Sequence, residues 1–386
     1  VVSDAAKRTI AEETDSSGDV LYAIAQQVGV LKSVDGGATW AEINAGLGTT
    51  TYFERVLVDP VTPSNLYLLW SFGGGISRSL DGGATWIGGD SGIDDTVNAL
   101  ALAPSSPSTL YAATYNGVSK SVDGGVSWDP TGLVMPGADA KAIAVDAISA
   151  DVVYVGVGTR VYRSIDGGGV WVPTDVVPVF FGGTITALGV DPTDSTTVYA
   201  GISNGFFPGI FHSINSGATW SAGPPSNPTD IAFRSGAPST VFVTSQGYVH
   251  TSRNRGASWS NIADGLVLAN AVAVGGSSIY VGTLGAGLWR RSALACTTDT
   301  ECDDANPCTL DACATATTPT SARPTSATPE VSPPILSAAC TRPSCARRRC
   351  ATARSVSPTP ARAPSTRGPT TRPAPTTAPS ARTMSV

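Results

Sequence analysis

Cysteine is missing from the first 295 of the chain's 386 residues, so that stretch folds with neither disulfides nor thiolate metal ligands. Histidine is nearly as scarce. The only two, His212 and His250, fall in alternating runs and read as strand residues, not as a catalytic base or a metal pair. Charged residues make up only 14% of the chain, and no uncharged apolar run reaches the roughly 18 residues a membrane-spanning helix needs. The richest apolar stretch, 176–190, is broken by Pro178, Gly182, Gly183 and two threonines. The first residue is Val, with no basic segment leading into an apolar one, so a signal peptide is expected to be absent or already removed. Gly73-Gly74-Gly75 lacks the Lys of a phosphate loop and reads as a turn.

What is present is divided unevenly. The net charge of −6 sums a segment of −15 over residues 1–314 and one of +9 over the last 72, which hold ten Arg and a single acid, Glu330. All seven cysteines lie beyond residue 295.

Residues 8 to 293 repeat. The pattern Ser-x-Asp-Gly-Gly-x-Thr/Ser-Trp stands at Ser33 to Trp40, Ser79 to Trp86 and Ser121 to Trp128, with degenerate copies ending at Trp171, Trp220 and Trp259. Before each copy comes an aromatic residue in a β-branched run. Counting one beyond the last copy, seven such aromatics occur: Tyr22, Tyr67, Tyr111, Tyr154, Tyr199, Phe242 and Tyr280. A period near 43 residues signals stacked supersecondary units. Within each unit four short alternating runs are separated by turn residues, as in NALALAP, TLYAATY and GVSKSV before the Asp123 turn. Four strands per unit match one blade of a β-propeller. The prediction is an all-β, seven-bladed propeller over 1–293. The seventh repeat lacks the motif, so either Val1 to Ala5 supplies its outer strand or the last blade has three strands.

The motif suits a tight turn between the third and fourth strands. A short carboxylate such as Asp81 accepts N–H groups of its own loop, Gly83 takes positive φ, Thr85 closes the loop, and Trp86 offers a surface one blade cannot bury alone. The same roles fall to Asp35 and Trp40, Asp123 and Trp128, and Asp166 and Trp171. Asn215 and Asn254 replace the Asp beside Trp220 and Trp259, and Val170 replaces the hydroxyl residue, so those turns are expected to be looser. These residues resemble the Asp-box, or bacterial neuraminidase repeat, of sialidases, sortilin-type receptors, xyloglucan-cleaving hydrolases and photosystem-assembly propellers. The resemblance implies the fold; over function it spans enzymes, receptors and assembly factors.

It also implies that a ligand site belongs on the face opposite the motif turns. Aromatic candidates there are Trp70, Phe72, Tyr115, Phe206, Phe207 and Tyr248, which suit a protein partner or stacking on a glycan. Polar candidates include Glu54, Arg55, Asn116, Lys141, Asn204 and Gln246, with Phe180 and Phe181 on an incoming loop. The leading expectation is a secreted or surface-exposed, monomeric, non-catalytic recognition propeller with no cofactor, no metal and no nucleic-acid partner. The alternative is a glycoside hydrolase using a pair drawn from Asp94, Asp95, Asp139 and Asp230. A sialidase is disfavoured: the arginine-isoleucine-proline motif usual near the start of that family is absent, and only four Glu lie in the repeats. An assembly factor would call for an arginine patch, for which Arg160, Arg163, Arg253 and Arg255 are the candidates.

Residues 294–314 read as a small disulfide module built on Cys296, Cys302, Cys308 and Cys313, with three possible connectivities and no Cys-x-x-Cys for zinc. Calcium at Asp303 and Asp304 lacks a complete loop pattern. Residues 315–386 are mainly Ala, Pro, Arg, Ser and Thr with no aromatic, which predicts disorder. A glycosylated stalk, a basic arm for polyanions and an out-of-frame translation all remain open for this tail.

Overall fold

The computed structural model describes residues 7–12, 20–49, 52–73, 75–135, 137, 139–175, 177, 182–203, 208–234, 240–245, 247–266, 269–275, 278–283 and 287–292, with the backbone alone for 7–12. Val1 to Ala5, Phe180, Phe181, Asn204, Phe206, Phe207, Gln246, the cysteine segment and the tail lie outside the described residues.

Seven antiparallel sheets follow one another along the chain, each with its strands in sequence order. Blade 1 runs Lys7–Glu12, Leu21–Ala25, Gly29–Ser33 and Ala41–Glu42. The architecture is the expected all-β, seven-bladed propeller. Its one helical piece among the described residues is a 3-10 turn, Ser71–Gly73. The first strand of every blade is innermost. These are Lys7–Glu12, Phe53–Val58, Val97–Leu102, Ala140–Val145, Thr184–Asp191, Pro228–Arg234 and Ala269–Gly275, and most pack closely on the next. The ring closes where Ala269–Gly275 meets Lys7–Glu12. Blade 7 contributes three strands among the described residues, ending with Gly287–Ser292.

The core consists of interfaces between blades, and the two sequence markers are the two halves of each interface. The second-strand aromatic of one blade and the motif Trp of the next enter one apolar cluster: Tyr22 with Trp86, Tyr67 with Trp128, Tyr111 with Trp171, Tyr154 with Trp220, Tyr199 with Trp259, and across the closing seam Tyr280 with Trp40. Blade 7 has no motif Trp to offer Phe242, and Trp289 on its third strand packs there instead. Second strands are consequently apolar on both faces, as in Leu21–Ala25, where all five residues are buried. Such continuous runs are what a strand sandwiched between neighbouring sheets requires.

Candidate functional site

The motif turns use up their own polar groups. Ser33 Oγ donates to Asp35 Oδ1 at 2.8 Å and accepts the N–H of Gly37 at 2.9 Å; Thr39 gives its N–H to Oδ1 at 2.8 Å and its hydroxyl to Oδ2 at 2.6 Å. The same bonds recur around Asp81 and Asp123. The threonine hydroxyl above all, with its N–H, holds the Asp35 and Asp81 carboxyls down to about 2. The Asn turns keep both bonds, the hydroxyl one lengthened from 2.6 Å to 2.9 and 2.8 Å. Asn215 and Asn254 still accept the N–H at 2.9 and 2.8 Å, and their amides now donate to Thr219 and Ser258 where a carboxylate would accept. At Val170 the N–H bond to Asp166 survives at 2.9 Å, but a valine has no hydroxyl to give. The buried serine that opens every copy is the member that sequence reasoning passed over, although its sixfold recurrence was a signal.

The motif turns of blades 2 to 5 also bond to the loop joining the first two strands of their own blade, as when the Gly82 N–H donates to Ser64 O at 2.8 Å, so both kinds of loop share one face. The incoming loops and the loops between second and third strands occupy the other.

At the channel mouth on that other face, every inner strand carries a β-bulge at the same register. The extra residues are Arg8, Glu54, Asn98, Lys141, Thr186, Thr229 and Asn270, and all seven are polar. A bulge turns a side chain out of the pleat's alternation and toward the rim. Three of these side chains clamp the next blade: Asn98 donates to Ala140 O at 3.0 Å, Thr186 to Pro228 O at 3.3 Å and Thr229 to Ala269 O at 3.3 Å. Lys141 instead turns back, with Nζ 2.7 Å from Asp139 and 2.9 Å from Asn98 Oδ1. Glu54, whose carboxylate can only accept, takes the Ser71 hydroxyl at 3.2 Å.

Among the described residues one ion pair crosses the channel. Arg55 in blade 2 donates to Asp230 in blade 6 at 2.8 Å, and the other oxygen of that buried carboxylate accepts the N–H of Val272 in blade 7 at 3.1 Å. Glu54, Arg55, Asn98, Lys141, Thr186, Thr229 and Asp230 line a small polar cavity of about 100 Å³.

The candidate carboxylates are thus distributed among different tasks. Asp230 is held in the ion pair. Asp139, at φ 54°, accepts Lys141 and Asn98. Asp95 holds the N–H groups of Thr96 and Asn116, both at 2.8 Å, and Asp94 is exposed. Among the aromatics, Phe72, Tyr115 and Tyr248 stand exposed, with Tyr248 stacked on His250 at 5.9 Å. Trp70 is half-buried, edge-on to Phe53 at 4.9 Å, with its indole N–H on Ser77 Oγ at 2.9 Å. Tyr52, which sequence reasoning did not single out, is exposed and meets Phe72 edge-on at 6.1 Å.

The exposed apolar side chains sort by face. Aliphatic ones, Val34, Leu80, Val122, Ile165 and Ile214, stand at the second position of five motif turns, and Val61 and Ile148 on the neighbouring loops. Among the described residues the exposed aromatic ones, Tyr52, Phe72, Tyr115 and Tyr248, all stand on the opposite face. A second cavity, of about 670 Å³, lies at the rim of blades 4 and 5 beside Val170 and Val172. Among the described residues no group of His, Cys, Asp and Glu gathers to hold a metal ion, and no helix is long and apolar enough to cross a membrane.

No family model matches the sequence, and no curated protein matches it. Solved structures do. A GH74 xyloglucanase from Xanthomonas campestris aligns with a TM-score of 0.59 at 16% identity, over 74% of this chain and 52% of that one. YCF48 bound to D1 peptide aligns with a TM-score of 0.57 at 15% identity, over 76% of this chain and 94% of that one. PorZ, a surface component of the type-IX secretion system of Porphyromonas gingivalis, aligns with a TM-score of 0.53 at 14% identity, over 75% of this chain and 37% of that one. The chain thus spans about half the length of the xyloglucanase, and at these identities the likeness is one of fold.

Proposed function

We propose that this chain is a non-catalytic recognition propeller of the Asp-box class, exposed outside the cell and monomeric, whose partner docks on the face opposite the motif turns. The observation that carries this reading is the sorting of exposed side chains. Tyr52, Phe72, Tyr115 and Tyr248 all rise from that face, and exposed aromatic rings are the side chains most enriched where proteins and glycans are recognised. A propeller of closely similar extent, YCF48, is solved with a peptide bound, which supports a peptide as one kind of ligand.

The hydrolase reading draws on the GH74 neighbour. Against it, Asp95, Asp139 and Asp230 are each committed to turns or ion pairs, where a hydrolase needs one carboxyl as acid and another as base or nucleophile. The test is a screen of wild type for turnover of xyloglucan and sialosides, beside peptide and glycan arrays probed with wild type, Phe72→Ala, Tyr115→Ala and the motif-face control Leu80→Ser. Binding lost in the aromatic variants and kept in the control is expected, with no turnover. Turnover abolished by Asp94→Asn, Asp95→Asn, Asp139→Asn or Asp230→Asn overturns the reading, as does binding lost only in the control.

A further inference from the structure

Phe72 is the most exposed large apolar side chain described, at 89%, and its backbone sits at φ 58°, a region that residues other than glycine seldom adopt. A position disfavoured by both strain and exposure is a candidate for contact. Its turn is anchored on Tyr52, whose carbonyl accepts the Ser71 N–H at 3.0 Å. Gly75, which closes the turn, lies against the incoming loop of blade 3. A Cβ added there would come within 2.1 Å of Asp90 Oδ2. That loop, 89–96, carries Asp90, Asp94 and Asp95, and none of them pairs with a described Lys or Arg. On its far side Asp95 Oδ2 accepts the Asn116 N–H, and Thr96 O accepts the Tyr115 N–H at 3.0 Å. Tyr52, Phe72, the acidic loop and Tyr115 therefore form one continuous strip across blades 2 and 3.

We infer that this strip docks a basic protein segment, with Lys or Arg side chains over the rings of Phe72 and Tyr115 and facing Asp94 and Asp95. The inference rests on the recognition reading above and names its partner. A cation over an aromatic face is attracted by the ring quadrupole, and unpaired carboxylates beside the ring add charge complementarity. The −15 carried by residues 1–314 steers such a partner inward and repels an acidic one. A neutral glycan stacks on the same rings but gains nothing from the net charge of the loop.

The test is calorimetry on the full chain with three probes: a capped octapeptide alternating Arg and Ser, its Glu counterpart, and a neutral xyloglucan oligosaccharide. Binding of the Arg peptide alone is expected, weakening with salt, falling about tenfold in Phe72→Ala and severalfold in Asp94→Asn, with no change in the motif-face control Asp151→Asn. Thermal unfolding verifies that each variant is folded. Equal losses in Asp94→Asn and Asp151→Asn reduce the effect to diffuse charge and overturn the inference. Oligosaccharide or Glu-peptide binding that Phe72→Ala abolishes overturns the basic partner and leaves the recognition face standing. Arg-peptide binding indifferent to Phe72, Tyr115 and Tyr248 overturns both.

Discussion

The two faces of this propeller are built from the same repeats and treat them oppositely. On the motif face six turns are built on one frame, in which the opening serine accepts a glycine N–H at 2.8 to 2.9 Å in every copy. Substitutions there are absorbed by similar geometry: Asn215 and Asn254 reverse the direction of one bond, which lengthens from 2.6 Å to 2.9 and 2.8 Å. On the opposite face the described loops differ in the side chains they carry. The incoming loop of blade 3 carries three acids, while the turn of blade 2 strains a phenylalanine into solvent. Repetition serves the fold because each blade must present the same edge to its neighbour. Recognition needs asymmetry, and only the face that does not carry the motif is at liberty to supply it.

The sharpest way to break this contrast is through the interfaces behind the motif. Trp128 is buried between blades 2 and 3, with its indole N–H on Gly89 O at 2.8 Å. Trp128→Ala should cost about 3–5 kcal/mol in urea unfolding. A loss under about 1 kcal/mol would remove the motif Trp from the core.

The next effect probes the channel, where the opposite face is itself structural. Arg55→Ala leaves the buried Asp230 without its cation and should cost about 1–3 kcal/mol, discounted because the Arg55 side chain is 40% exposed. Asp230→Asn should cost a comparable amount, since its single amide oxygen accepts from only one of Arg55 and Val272 and its NH2 meets the other donor. Equal stability of Arg55→Ala and wild type would show that closure does not depend on the cross-channel pair.

Smaller still is the repair of the one motif turn that loses a bond. Val170→Thr restores a hydroxyl toward Asp166 on an isosteric side chain, and should raise the unfolding midpoint slightly. Thr85→Val, which breaks the equivalent bond, should lower it comparably, and scanning calorimetry of the two variants reads both signs.

Acid should test the motif face as a whole. Asp35 and Asp81 sit at about 2 in the folded chain against about 3.9 unfolded, so their contribution is complete above pH 4 and is lost as pH falls through 2. Burial holds His212 below its ordinary value, so its contribution is complete above about pH 6.5 and declines as the pH drops below that. His212→Gln should flatten that upper limb in pH-dependent unfolding and leave the acid limb unchanged. The smallest stability effect belongs to Phe72→Ala, which removes an exposed ring and should move the unfolding midpoint by no more than the error. A marked loss would make Phe72 part of the core.

Much of this architecture was legible because its determinants are local. Ser-x-Asp-Gly-Gly fixes a turn with atoms from eight consecutive residues, and Tyr22 or Tyr67 marks a second strand by its own short run. The sharing of one face by the motif turns and the first loops followed from strand order. The candidate site was legible only in part. Trp70 looked like its exposed neighbour Phe72, two residues on, yet Trp70 packs on Phe53 while Phe72 points out, because the 3-10 turn starting at Ser71 reverses direction between them. The bulge ring left a faint trace, one polar residue near the start of each inner run. Nothing in a single repeat says that Asn98 and Thr229 reach a carbonyl of the next blade.

The sequence by itself determined the blade: its four strands, its turn, and the Tyr and Trp that wait for a neighbour. What only the tertiary structure decided is which side chains of different repeats meet. Arg55 and Asp230 are 175 positions apart and touch because the ring closes at seven blades. Local spacing sets the shape of one unit, whereas contact across a channel depends on how many units close the circle and on the angle each adds.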